Sequence, residues 1–107
     1  MELVEHLADV LAPLGRVHWR RFFGGHGLAV GAVQFAFVID GVVYLRADAG
    51  LARELESRGG APFSYDTRKR RVRVASYWSV PEAQLDDEDA FVGWSRRALA
   101  AARAARR

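Results

Sequence analysis

Asp40-Gly41 stands between two apolar runs, residues 33–39 and 42–46, and no other local feature restricts the folding of this chain as much. A type I′ turn needs φ > 0 at both central residues. Glycine adopts that conformation freely and aspartate tolerates it, so the pair predicts a two-residue β-hairpin. Around it, residues 17–46 change side with a period of two and are rich in β-branched and aromatic side chains. Gly31-Ala32 offers a second tight turn, with glycine where a type II′ turn wants it. The stretch predicts an antiparallel meander with strands near residues 17–22, 28–30, 33–39 and 42–46.

Helical periodicity flanks the meander. Leu3, Val4, Leu7, Val10, Leu11 and Leu14 recur at spacings of three and four, which predicts an amphipathic helix over about 2–12, ended near Pro13 and closed by Gly15. Asp48 can cap a second helix through Leu51, Ala52 and Leu55, with Gly59-Gly60 at its end. Residues 63–65 and 72–77 predict another hairpin across the polar run DTRKRR. After Pro81, the acidic run 86–89 suits a helix N-terminus, and a last helix over about 87–105 shows Phe91, Trp94, Ala98, Ala101 and Ala105 on one side. Arg103, Arg106 and Arg107 supply the sign that the C-terminal dipole prefers. The predicted order is α-β-β-β-β-α-β-β-α: an α+β domain spanning 1–107, with an antiparallel sheet and helices packed against it.

Composition removes several classes of function. The chain has no cysteine, which excludes a disulfide scaffold, a thiolate zinc site and a cysteine nucleophile. Glu2, Glu5 and Asp9 deny the N-terminus the basic character of a signal peptide, and no apolar run approaches the ~20 residues of a membrane span. The expected setting is cytoplasmic, with no membrane partner. Lys+Arg total 16 against 13 acids, giving a formal net charge of +3. Lys69 is the lone lysine among many arginines and alanines, a bias that a GC-rich genome also produces, so position matters more than total charge.

Residues 22–31 read FFGGHGLAVG, a glycine-rich stretch that looks at first like a phosphate-cradling loop. A dinucleotide fingerprint places its glycines between a strand and a helix, whereas these lie between two strands and no Lys-Ser or Lys-Thr follows. Gly24, Gly25 and Gly27 therefore read as structural, allowing a bulged corner and close backbone approach. His6, His18 and His26 are twelve and eight residues apart, unlike the short spacing of metal ligands. Ser57, Ser64, Ser76, Ser79 and Ser95 lie in no nucleophile motif. No enzymatic activity, cofactor or metal is expected.

Arg68, Lys69, Arg70, Arg71 and Arg73 form the strongest candidate site, on the tip of the second hairpin. Arginines on one ribbon could neutralise several phosphates, and alternation turns Arg71 and Arg73 away from Val72 and Val74, which are expected to face the core. The same cluster also reads as a solvated charge guarding a sheet edge. Tyr77 and Trp78, beside Pro81, are further candidate contacts, with core packing expected for at least one of them.

FFGGHGLAVG resembles the RMFGG-x-GLY-x-x-G signature of the TfoX N-terminal domain family of competence regulators. The resemblance continues in order through Phe35-Ala36 and Asp40, Leu45-Arg46-Ala47-Asp48, Pro62-Phe63-Ser64-Tyr65, Tyr77-Trp78-Ser79-Val80-Pro81 and Trp94. Phe22, Arg46, Val74 and Trp78 depart from the usual residues while keeping bulk or charge. The resemblance implies a transcriptional coactivator that works with the cyclic-AMP receptor protein, touching protein more than DNA. Regulators of this family carry a second, helical domain, so the chain is expected to be a stand-alone N-terminal domain. Direct DNA binding through the basic hairpin is the alternative, a small-molecule site in the corner formed by Phe23 to Gly27 comes last, and an available sheet edge makes a homodimer plausible.

Overall fold

The computed structural model describes residues 2–106, so the prediction for Arg107 lies outside the described residues. The elements run α1 (Glu2–Val10), a 3-10 turn (Ala12–Leu14), β1 (Val17–Phe22), β2 (Gly25–Val30), β3 (Val33–Ile39), β4 (Val42–Arg46), α2 (Ala49–Ser57), β5 (Pro62–Asp66), β6 (Arg71–Ser79), α3 (Glu82–Leu85) and α4 (Glu88–Ala105). The α+β class and the order of the main elements are as the sequence predicts. One six-stranded antiparallel sheet has the order β1-β2-β3-β4-β6-β5.

Local chemistry explains most of the boundaries. Asp40 (φ 52) and Gly41 (φ 77) make the expected turn, and Gly31 takes φ 60 in the other. Asp48 Oδ1 accepts from the Leu51 N–H at 2.8 Å, and Asp87 Oδ1 accepts from the Ala90 N–H at 3.1 Å, so α2 and α4 each have an N-cap. The helix α2 ends in a Schellman pattern, with the Gly60 N–H on the Leu55 carbonyl and the Gly59 N–H on that of Glu56. Pro13 sits in the 3-10 turn and α1 closes at Val10, slightly earlier than predicted. The strand β2 begins at Gly25 rather than Leu28, placing Gly25, His26 and Gly27 inside the sheet. The single-turn α3 is too short for periodicity to announce.

All the major helices cover one face of the sheet. Val4, Leu7 and Leu11 of α1, Leu51 and Leu55 of α2, and Phe91, Trp94, Ala98, Leu99 and Ala102 of α4 pack with Leu28, Ala36, Val43, Leu45 and Trp78 of the strands. Phe35 joins them through a bulge: Leu28 pairs with Ala36 but Ala29 pairs with Gln34, which leaves Phe35 as the extra residue. The buried stripe of α4 differs from the predicted one. Ser95, Leu99 and Ala102 are buried, while Ala105 is exposed and Ala101 only half-buried. The predicted set repeats every 3.5 residues; a straight helix turns once per 3.6, so the contact stripe drifts off that set.

Ser95 Oγ is fully buried and has no hydrogen-bond partner. Ser95→Ala removes an unsatisfied hydroxyl and improves helix propensity, so it should raise stability by about 1 kcal/mol. Thermal unfolding should then shift upward by roughly 4–8 °C in a domain of this size. A lower Tm would show that the hydroxyl fills space the alanine leaves empty.

Candidate interaction surface

The helix-free face of the sheet carries a second apolar layer. In an antiparallel pair, residues directly opposite share a face, so Phe22, Gly25, Gly27, Phe37, Tyr44, Arg46 and Tyr77 all lie on this side. Glycines at positions 25 and 27 leave β2 bare here, and the Phe22 ring of β1 reaches Phe37 of β3 at 5.0 Å. Gln34 lies over Gly27. Phe37 then stacks on Tyr44 at 5.1 Å and meets Tyr77 at 4.6 Å. The bare backbone at Gly25 and Gly27 leaves room for an aromatic layer.

The strands β5 and β6 complete that layer by leaving the plane. Pro62 pairs with Trp78 but Phe63 pairs with Val74, so three residues of β6 (Ala75–Tyr77) have no counterpart in β5. Beyond this bend the register is regular down to Asp66 opposite Arg71. Phe63 lies 5.0 Å from both Phe37 and Tyr44, although a flat sheet would put β3 about 14 Å from β5 at the usual strand spacing. Phe23, in the β1–β2 turn at the far edge, also reaches Tyr65 at 5.7 Å and Phe63 at 6.2 Å. The hairpin arm therefore folds back over the helix-free face. It leaves Phe37 2% and Phe63 8% exposed, both apart from the helix-side core.

The basic residues occupy the end of this arm. Thr67 organises the loop: its N–H donates to the Arg70 carbonyl at 2.8 Å, and its Oγ1 accepts from the N–H groups of Lys69 and Arg70. With its backbone tied in this way, the loop presents Arg68, Lys69 and Arg70 to solvent. Arg71 grips Asp66 with Nε at 3.1 Å from Oδ1, and this hydrogen bond, ahead of the charge itself, raises its pKa. Arg73 is exposed opposite Ser64. Val72 and Val74 are half-buried and share a face with Tyr65 and Phe63, so they face the aromatic layer rather than the helix-covered core.

The other candidates separate. Trp78 is 7% exposed in the helix-side core, with its Nε1 donating to the Ala75 carbonyl at 2.9 Å, so of the two aromatics it is the one with the expected core packing. Tyr77 is half-buried in the aromatic layer beneath the Arg46 guanidinium, 5.8 Å from the ring centre. His18 Nε2 lies 2.8 Å from the Gly31 carbonyl oxygen. Among the described residues no group of three or more His, Cys, Asp or Glu could hold a metal ion, and no helix is long and apolar enough to cross a membrane.

Tyr44 adds a titration signature. Burial, and secondarily the Asp40 charge, raises its pKa above 10.0. The unfolded chain ionises this phenol first, so the associated stability is complete below that ordinary value and is lost as pH rises through the raised one. Asp40→Asn should lower the Tyr44 pKa only part of the way, because burial remains; the tyrosine Cζ chemical shift followed against pH reads the change.

The layer is hard to see in the sequence because its residues are interleaved with those of the helix-side core: Phe37 follows Ala36, Tyr44 lies between Val43 and Leu45, and Tyr77 precedes Trp78. Apolar residues on both sides of a strand are the signal that both faces are covered. Comparison with known proteins covers most of the chain. Protein Sxy of Escherichia coli (strain K12) is 32% identical over 94 residues, covering 88% of this chain and 44% of that protein. The chain thus spans less than half the length of that relative. The profile of the TfoX N-terminal domain matches residues 9–102, from within α1 to the last buried turn of α4, and the chain belongs to that family.

Proposed function

We propose that this domain is a regulatory interaction module of the competence-regulator type, acting with a transcription factor of the cyclic-AMP receptor protein class through protein contacts. Membership of the TfoX N-terminal domain family across residues 9–102 carries the reading. The arm is the surface that suits it. Arg68, Lys69, Arg70 and Arg73 project from a braced hairpin, and such a cluster steers encounter with an acidic partner face.

The same cations support a second reading, direct contact with duplex DNA. One binding series separates the two. The domain is titrated onto a labelled promoter duplex with and without the factor, at about 50 and 200 mM salt. Recruitment only when the factor is present supports the protein-contact reading. Binding to bare duplex that weakens by roughly a hundredfold across that range, as three to four phosphate contacts require, supports the DNA reading. The quadruple change of Arg68, Lys69, Arg70 and Arg73 to Gln should abolish either mode while leaving the fold intact, since all are exposed. Unchanged recruitment by that variant would move the contact surface off the arm.

A further inference from the structure

A cleft of about 360 Å³ opens between the folded-back arm and the β3–β4 turn. Its walls are the rings of Phe23, Tyr44, Phe63 and Tyr65, with Ile39 and Val42 as aliphatic lining. The rings form a connected set: Tyr44 stands at 77° to Phe63, Phe63 at 34° to Tyr65, and Phe23 at 39° to Tyr65. Asp40 is the one acidic or basic side chain that lines it among the described residues. The basic tip contributes none of the lining.

Phe23 shows that this arrangement is not packing alone. Its φ is 52, a left-handed conformation that bulky residues avoid and that Asn or Gly would take without strain. The residue nevertheless remains 63% exposed, and Tyr65 is 36% exposed. A strained backbone holding a largely bare ring at the mouth of a cleft gains little from burial.

We propose that this cleft binds an organic monocation, a quaternary ammonium or a guanidinium, held against the aromatic rings and neutralised by Asp40. Ring quadrupoles attract such cations, and one carboxylate beside a mainly aromatic lining, in which Ser64 is the other polar residue besides the tyrosines, selects positive charge over a neutral group of equal shape. The size of the cleft admits a choline-sized head group or the end of an arginine side chain. This site is separate from the arm tip and does not depend on how the tip is used.

The test is an NMR titration of the purified domain with choline and, separately, with N-acetyl-argininamide. The neutral choline isostere 3,3-dimethylbutan-1-ol and sodium chloride at matched ionic strength are the controls. Saturable shifts of the Phe23, Tyr44, Phe63 and Tyr65 ring signals are expected at concentrations up to about 50 mM, above the millimolar Kd that one small cage supports. Tighter binding of choline identifies a free quaternary ammonium as the natural ligand; tighter binding of the arginine compound identifies a side chain presented by a partner. Asp40→Asn keeps a residue suited to the turn and should weaken the cation by roughly fivefold or more, without disturbing the fold. Phe23→Asn should weaken it while relieving the backbone. Equal shifts from the neutral isostere, full affinity in Asp40→Asn, or no shifts from either cation would each overturn the proposal.

Discussion

Gly25→Ala is expected to cost about 3–5 kcal/mol, enough to leave much of the chain unfolded in moderate urea. A Cβ at this position would fall on the Val38 carbonyl oxygen and 2.8 Å from Ile39 Cγ1. The first of these is sheet backbone and cannot rotate aside. The strand would have to shift, and with it the path by which Phe22 crosses β2 to Phe37. The neighbouring Gly24→Ala provides the control. Gly24 has φ 80, but a Cβ there meets nothing within 4 Å, so only conformational strain of about 1–2 kcal/mol applies. Urea midpoints of the two variants should therefore lie far apart. Similar midpoints would mean that β2 moves away from β3 more easily than the close approach implies.

Phe37→Ala should cost about as much by a different route, about 3–5 kcal/mol from lost burial and the cavity left behind. Phe37 is the hub of the aromatic layer, ringed by Phe22, Tyr44, Phe63 and Tyr77 at 4.6 to 5.1 Å. Beyond the bend, the arm holds to the rest of the protein through these rings, not through a continuous backbone ladder. Hydrogen exchange should accelerate most in β5 and residues 71–74, where opening becomes local, and least in the buried stripe of α4. Uniform acceleration throughout the chain would show that arm and sheet open as one unit.

The sequence made legible what neighbouring residues decide. Asp40-Gly41 specified a turn because few residue pairs accept φ > 0 twice, Asp48 announced a helix start because a short acceptor satisfies free N–H groups there, and the acidic run 86–89 announced another because negative charge suits a helix N-terminus. The folded-back arm was not legible. Ala75, Ser76 and Tyr77 contain no glycine or proline to mark a bend, and the contacts that hold it join Phe23 to Phe63 across most of the sheet. The basic tip was visible as a charge run, but the Asp66 partner that occupies Arg71 depends on cross-strand register. Core packing was expected for at least one of Tyr77 and Trp78, but which one depends on register: Trp78 opposes Leu45 on the helix side. The aromatic cleft depends on three segments that only the fold brings together.

The bend in β6 also governs how the arm can change length. Past Phe63 the two strands pair only with each other, so residues added symmetrically near Asp66 and Arg71 leave the remaining ladder undisturbed. A two-residue extension of each strand keeps Phe63 and Tyr65 inward and carries the tip about 7 Å further out. A one-sided insertion of a single residue instead turns one strand's facing side chains over. The arm is thus a graft point: its reach and loop sequence can be exchanged in even steps while the helix-backed sheet remains the same.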